Sequence, residues 1–197
     1  MNLPVELPFR ITFGILWIIY FGIRLFFQRR IKAGQEYSLI NERQEKLLFR
    51  LFAIAFFLLA FYFLTPWIDF ASIHMPGWLR WNGAGLTGAG IALFSWAHQA
   101  LGQNWTAVLA LSKKHELVRN GSYRHVRHPM YSAFFIIGMG FFLLSANWLI
   151  GIIYIGPLSV MYAERVSLEE KMMIDRFGEP YREYMKHTGR LLPRFRA

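Results

Sequence analysis

The stretch MYSAFFIIGMGFFLLSANWLIGIIYIGPLSVMYAE (residues 130–164) decides the fold because it is almost wholly apolar. Only the sequence SAN, Ser145–Asn147, interrupts it, leaving two apolar segments of about 15 and 16 residues, which is short for membrane spans. The stretch therefore predicts a hairpin of two short transmembrane helices, and a partly re-entrant pair is the alternative. Pro157 is expected to kink the second arm.

Three longer apolar segments precede this hairpin. Each is close to the roughly 20 residues that cross a bilayer core as a helix. They are Phe9–Phe27, Leu48–Trp67, which Pro66 closes, and Trp81–Leu101. The third contains glycines that favour close approach of helix backbones, namely Gly83, Gly85, Gly88 and Gly90. The predicted fold is all-α, a polytopic membrane protein of about five transmembrane helices in a single domain over residues 1–197.

Basic residues predict how these spans are oriented. Five lie in the loop between the first two spans and five in the loop before the hairpin. The other two loops, residues 68–80 and 145–147, contain a single lysine or arginine between them, Arg80. Because cytoplasmic loops are enriched in Lys and Arg, the N-terminus is predicted outside and the C-terminus in the cytoplasm.

The composition agrees with a membrane location. Of 197 residues, 55% are hydrophobic and the net charge is +10. A basic excess in a soluble protein suggests a nucleic-acid partner, but here it indicates topology and attraction to membrane lipids, so no nucleic acid is predicted. The absence of cysteine excludes disulfides, zinc–thiolate sites and a thiol nucleophile. The first residues lack the basic region and cleavage site of a signal peptide.

Titratable side chains are concentrated in a polar connector, residues 101–131. Its end reads GSYRHVRHPMY (residues 121–131) and contains two arginines, two histidines and two tyrosines. His128 followed by Pro129 marks a helix start, because proline is tolerated in the first turn. The N-terminus of such a helix suits an anion or a carboxylate.

Two glutamates follow the hairpin. Arg165 and Glu169 are four residues apart and share one helix face, whereas Glu170 lies about 100° around the axis and need not serve the same partner as Glu169. In the C-terminal tail (residues 177–195), apolar side chains have the spacing of an amphipathic helix at Phe177, Tyr181, Tyr184 and Met185. This helix is predicted to close over a pocket or to lie on the membrane.

Four motifs, in this order and spacing, resemble the isoprenylcysteine carboxyl methyltransferase family, including its prokaryotic members, and more distantly the membrane phospholipid methyltransferases. They are LGQNW (101–105), HELVRNGSYRHVRHPMY (115–131), RVSLEE (165–170) and FGEPYREYMKHTGRLLP (177–193). The resemblance implies an enzyme that takes S-adenosylmethionine from the cytoplasm, releases S-adenosylhomocysteine and methylates a lipophilic acceptor from the bilayer. Residues 1–100 would then be anchoring helices, and residues 101–197 the cofactor-binding and catalytic region.

The resemblance also implies site residues by position. The family's cofactor contacts fall on His115, Glu116, Leu117, Val118, Tyr123, His128, Pro129, Met130, Tyr131 and Glu169. Its substrate-binding arginine falls on Arg165, which forms the predicted catalytic pair with Glu169. No metal is predicted, because no carboxylate lies at ligand spacing beside His115, His125 and His128.

The nature of the acceptor follows from charge. A prenylcysteine-like carboxylate is ionised at neutral pH and needs no strong base, and Arg165 would hold it by a charge-assisted pair. Glu169 would bind the ribose hydroxyls or the positive end of the donor. A phospholipid amine would arrive protonated and would need Glu170 or His128 as a base. Arg165 favours the carboxylate; a sterol-type membrane reductase and a scaffold or transporter are further alternatives.

Other charged and aromatic residues are assigned simpler roles. Arg119, Arg124 and Arg127 are predicted to mark topology and to contact lipid headgroups. Tyr181 and Tyr184 are predicted to pack, and the alternative for Arg165 with Glu169 is a surface ion pair. The chain is expected in the plasma or inner membrane if prokaryotic and in the endoplasmic reticulum if eukaryotic, with membrane lipids as partners. The natural acceptor and the oligomeric state are left open.

Overall fold

The computed structural model describes residues 3–29, 42–104 and 116–194, and the architecture given below refers to these residues. They form helices joined by short turns, without a β-strand among them. The helices are α1 (Leu3–Arg29), α2 (Glu42–Leu58), α3 (Ala60–Leu64), α4 (Gly77–Leu101), α5 (Pro129–Ser145), α6 (Trp148–Phe177) and α7 (Glu179–His187). The predicted all-α class is confirmed.

Among the described residues, three helical segments are long and apolar enough to cross a membrane. They are Val5–Arg29, Lys46–Leu64 and Trp148–Phe177, and α5 is a shorter apolar helix of 17 residues. The second segment consists of α2 and α3, which meet at Leu59 and end two residues before Pro66. These helices support the polytopic membrane fold, and the count of five spans stays a prediction.

The predicted hairpin is formed by α5 and α6. Ala146 adopts a left-handed φ of 48° between the two helices. Asn147 is fully buried and caps α6, because its Oδ1 accepts from the amides of Leu149 and Ile150 at 3.0 and 3.2 Å. Its amide nitrogen donates to the Ile68 carbonyl at 2.7 Å, which fixes the turn against the preceding loop.

Helix α6 is much longer than the predicted second arm. It continues through Pro157 and past Glu164 to Phe177, a length of 30 residues. At about 1.5 Å per residue this helix is roughly 45 Å long, which exceeds the roughly 30 Å hydrocarbon core of a bilayer. Arg165, Glu169 and Glu170 therefore belong to the same continuous helix as the membrane-spanning segment.

Close packing of α4 on α5 explains two of the four glycines that were predicted to allow close approach of this helix. A Cβ on Gly83 would lie 2.5 Å from the Leu144 amide nitrogen, and one on Gly90 would lie 2.7 Å from Cγ1 of Ile137. Within the described part of the chain, Gly85 and Gly88 have no heavy atom within 4 Å of an added Cβ, so their predicted role in close approach is wrong. The contact face repeats at 83, 87 and 90, as helical periodicity requires.

This difference between the glycines gives a matched pair of variants. Gly83→Ala should destabilise the fold by about 1–3 kcal/mol, because a methyl group would meet backbone that cannot move away. Gly85→Ala should be neutral or should stabilise by up to about 1 kcal/mol, since alanine is the better helix former. Thermal unfolding of both detergent-purified proteins measures this, and equal losses in the two variants would contradict the packing.

The end of the bundle near the α5–α6 turn is held by ion pairs, one of which includes the buried Arg80. Arg80 is bound through both terminal nitrogens by Glu6, at 2.7 Å each, and its Nε donates to the Leu144 carbonyl at 3.1 Å. Arg10 pairs with Asp69 beside it. Arg80 was predicted only as a loop charge, whereas in the structure its side chain joins α1, α4 and α5. A two-point arginine–carboxylate pair fixes orientation as well as distance.

Candidate active site

The connector and the tail are in direct contact. The amides of Arg127 and His128 donate to the carbonyls of Gly189 and Arg190 at 2.8 and 3.0 Å. The hydroxyl of Tyr184 donates to the Tyr123 carbonyl at 2.5 Å. The two segments that carry most of the titratable side chains therefore form one surface, as a shared site requires.

His128 lies between the two glutamates of α6. It occupies the N-cap position of α5, ahead of Pro129, and its side chain is buried. Nδ1 lies 3.4 Å from a Glu169 oxygen, and Nε2 lies 3.4 Å from a Glu170 oxygen. Although about 100° of helix rotation separates the two glutamates, they share this partner through opposite ring nitrogens. Burial lowers the pKa of His128, but the hydrogen bonds and charges of Glu169 and Glu170 outweigh it and raise the pKa above 6.5.

Glu169 is the more accessible of the two glutamates, with 24% of its side chain exposed. The Tyr131 hydroxyl donates to Oε1 at 2.8 Å, and Nε of Arg165 lies 3.6 Å from the same oxygen. The predicted shared face of Arg165 and Glu169 is confirmed. The surface-pair alternative is wrong, because only 9% of the Arg165 side chain is exposed.

Glu170 is buried and is surrounded by cations from the connector and the tail. Nε of Arg127 donates to it at 3.0 Å, and Nη2 of Arg190 donates at 2.7 Å. Arg127 also donates to the carbonyls of Met185 and Thr188. The prediction that Arg127 contacts headgroups is wrong, since its guanidinium is occupied inside the protein. Arg119 and Arg124 are exposed, and their assignment stays a prediction.

Sequence reasoning missed Arg127 and Arg190 as partners of Glu170. These pairs span 43 and 20 residues of sequence, so no helical spacing indicates them. The available signal was energetic: a glutamate in an apolar helix next to Glu169 requires a cation if it is buried.

The remaining predicted cofactor residues surround this cluster to different extents. Pro129 and Tyr131 are buried in the first turn of α5, and Met130 is half-buried. Tyr123 is half-buried; burial and the nearby charges of Glu169 and Tyr184 raise its pKa well above 10.0.

The first part of the predicted cofactor set is only partly described. Glu116 is exposed, and its amide donates to Oδ1 of Asn104 at 3.0 Å. Leu117 and Val118 are half-buried. His115 lies outside the described residues. The structure thus brings His128, Tyr131, Arg165 and Glu169 into one contact network, whereas the roles of all the predicted site residues stay predictions.

The tail helix has the predicted amphipathic character. Tyr181 and Tyr184 are buried in α7, which confirms their assignment to packing. Burial raises the pKa of Tyr184 to about 12, so its hydroxyl stays a neutral donor to the connector. Acidic and basic side chains lie on the exposed face, where Lys186 and His187 both pair with Glu183.

The position of His128 predicts a pH dependence of stability. Because its folded-state pKa is raised, its contribution is fully present below about pH 6.5 and is lost as the pH rises through the folded-state pKa. His128→Gln should reduce this dependence, which unfolding midpoints between about pH 6 and 9 would measure. His187→Gln is the control, because His187 is exposed and pairs with an exposed glutamate. Identical pH profiles for wild type and His128→Gln would contradict the assignment.

Comparisons with known proteins agree on one family. A family model for the isoprenylcysteine carboxyl methyltransferase (ICMT) family matches residues 84–175. The chain is 32% identical to the protein-S-isoprenylcysteine O-methyltransferase of Schizosaccharomyces pombe over 94 residues, which is 47% of this chain and 40% of that protein. It is 30% identical to the protein of the same name from Mus musculus over 139 residues, which is 66% of this chain and 49% of that protein.

A solved structure is similar over a longer part of the chain. It is that of the eukaryotic intramembrane Ras methyltransferase ICMT, with a TM-score of 0.55, 26% identity, and coverage of 79% of this chain and 54% of that chain. The chain spans about half the length of the relatives it matches. The family match includes α5 and the two glutamates and ends before the tail.

Proposed function

We propose that this chain, which belongs to the isoprenylcysteine carboxyl methyltransferase family over residues 84–175, methylates the carboxylate of a lipophilic, prenylcysteine-like acceptor at the membrane. S-adenosylmethionine is the proposed donor and S-adenosylhomocysteine the product. The observation that carries the proposal is the buried Arg165, held beside the partly exposed Glu169 on a helix that continues into the membrane-spanning segment. One residue offers a cation to an acidic acceptor, and the other offers an anion to a cationic donor.

The residues of this site fit the proposed donor. When bound, S-adenosylmethionine supplies a methyl group on a positively charged sulfonium. Glu169 has a partly exposed carboxylate that suits ribose hydroxyls or a positive charge, and Tyr131 fixes one of its oxygens. The N-terminus of α5, at His128 and Pro129, suits a carboxylate group. The proposed binding set also includes His115, Glu116, Leu117, Val118, Tyr123 and Met130.

The charges of the site support a carboxylate acceptor over an amine. A carboxylate needs only to be held and aligned, a positioning effect that can supply roughly 7–11 kcal/mol. An amine would require a base, and the candidates are poorly suited to that role. His128 has a raised pKa and so tends to carry its proton, and the oxygens of Glu170 already accept from Arg127 and Arg190.

The lipid character of the acceptor follows from where the site lies. Arg165 lies in α6, a helix that is long and apolar enough to cross a membrane, and this supports a site next to lipid. Relatives of the chain are named for isoprenylcysteine, an acid that carries a lipid chain. We place the site at the cytoplasmic boundary, with the N-terminus outside, on the basis of loop charge. An acceptor could then reach Arg165 from the membrane while the donor comes from the cytoplasm.

A two-part assay tests the proposal. Calorimetric titration of the detergent-purified chain with S-adenosylhomocysteine should give saturable binding. Incubation with methyl-labelled donor should transfer label to a prenylcysteine carboxylic acid and not to phosphatidylethanolamine. Labelling of the phospholipid alone would replace the proposal with amine methylation, and absence of binding would reject both reactions.

Variants at the catalytic pair separate the two proposed roles. Glu169→Ala should abolish S-adenosylhomocysteine binding, because this ligand, which shares the ribose hydroxyls and the amino group of the donor, loses its contact with the carboxylate. Arg165→Ala should preserve that binding and lower kcat by about 10²–10³, the effect typical of removing one oriented charge or donor from a reacting group. Lys171→Ala, an exposed position on the same helix, is the control and should leave both readouts unchanged. Unaltered cofactor affinity in Glu169→Ala would refute the assignment of this residue.

A further inference from the structure

We infer that Glu170 and Arg190 are positioning residues, which hold the imidazole of His128, and through it the carboxylate of Glu169, at the proposed donor site. The inference rests on the proposed function, because it assigns to Glu170 and Arg190 a role in donor binding that they exert only through His128 and Glu169. Neither residue belongs to the proposed cofactor set or to the catalytic pair.

A continuous series of contacts connects the tail to Glu169. Nη2 of Arg190 donates to Oε2 of Glu170 at 2.7 Å, and its Nε lies 3.1 and 3.2 Å from the two oxygens. Oε1 of Glu170 lies 3.4 Å from Nε2 of His128, and Nδ1 of the same ring lies 3.4 Å from Glu169. A change at Arg190 can therefore reach Glu169 through two intervening side chains.

The imidazole can serve both glutamates only when it is doubly protonated. A neutral imidazole has one N–H donor, so it can donate to one carboxylate and must leave the other without this contact. The imidazolium has two N–H groups and can donate to both. Loss of one imidazolium proton would remove the hydrogen bond to either Glu169 or Glu170. The oxygens of Glu170 would still accept from two arginines. Glu169 is the carboxylate whose position then depends most on His128.

The surroundings of His128 define which charges act on it. Arg127 and Tyr131 flank it on its own segment, and α6 contributes both glutamates with Arg165 beside Glu169. The tail contributes Arg190, and Tyr162 and Tyr181 lie within the electrostatic range of the same carboxylates. The two carboxylates favour the imidazolium, and the arginines partly neutralise them.

This arrangement makes opposite predictions for the two positioning residues. Removing the negative charge of Glu170 weakens the hold on the second proton of His128. Removing the positive charge of Arg190 leaves Glu170 more negative and strengthens that hold. Arg190 is a suitable test position because 49% of its side chain is exposed, against 5% for Glu170, so its replacement leaves no large cavity.

The experiment is the pH dependence of S-adenosylhomocysteine affinity, measured calorimetrically on the full chain in detergent between about pH 6 and 9. Wild-type affinity should fall as the pH rises through the pKa of His128. Glu170→Gln should move the midpoint of this fall to lower pH, and Arg190→Gln should move it to higher pH, each by about half a pH unit or more. Arg182→Gln is the matched control, because Arg182 is an exposed arginine of the tail paired with an exposed Glu179. Its midpoint should equal that of wild type.

If Glu170 and Arg190 only stabilise the fold, a different result is expected. In that case both variants would weaken binding and leave the midpoint in place, or would move it in the same direction, and either outcome would overturn the inference. If Glu170→Gln does not fold, Arg190→Gln decides alone: an alkaline displacement supports positioning, and an unchanged midpoint overturns it. Wild-type binding without these displacements would reject only the inference. Absence of wild-type binding would reject the proposed function and the inference with it.

Discussion

The burial of the Glu170 carboxylate is the constraint on which the arrangement of the site depends. An ionised carboxylate removed from water is costly unless cations and hydrogen-bond donors surround it. Here those groups come from Arg127 and His128 in the connector and from Arg190 in the tail. Two segments that are distant from each other in sequence, the connector and the tail, must therefore meet at one point of α6. The contact between connector and tail follows from this requirement, and so does the location of Glu169 at the edge of the same cluster.

Helix α6 connects the Glu170 cluster to the rest of the bundle. At one end, buried Asn147 caps the helix and ties its start to the Ile68 carbonyl. Near the other end, Glu170 forms ion pairs with Arg127 of the connector and Arg190 of the tail. Because the helix is continuous between these points, the depth of Arg165 relative to the membrane-spanning segment is set by helix geometry and not by a loop. A site that takes one reactant from lipid and another from water needs this kind of fixed depth.

Local sequence patterns predicted most of the helices and turns. They could not predict the contacts between residues that are distant in sequence. The hairpin, its turn at Ser145–Asn147 and the shared face of Arg165 and Glu169 all follow from periodicity within a few residues. The length of α6 was underestimated because its polar last third resembles a separate segment. For Gly85 and Gly88, composition indicated packing, but only the neighbouring helix determines which face of α4 is covered.

The candidate site was predicted to a similar extent. The resemblance named His128, Tyr131 and Glu169, which the structure brings together. It did not indicate the arginines around Glu170, because an ion pair between residues tens of positions apart has no sequence period. Arg80 was missed for the same reason: its partner Glu6 is 74 residues away. Arg127 and Arg80 were both attributed to topology, yet Arg127 donates to the buried Glu170 and Arg80 is itself buried beside Glu6.

The return of the tail to the connector also has a consequence for biosynthesis. Tyr184, Thr188, Gly189 and Arg190 are translated after every helix from α1 to α6, yet they supply donors and acceptors to residues 123–128 and to Glu170. Until these residues have been synthesised, Glu170 has only part of its counter-charge. The contacts that enclose Glu170 are thus completed only after α7 and the residues that follow it have been translated, later than the contacts within the preceding helices.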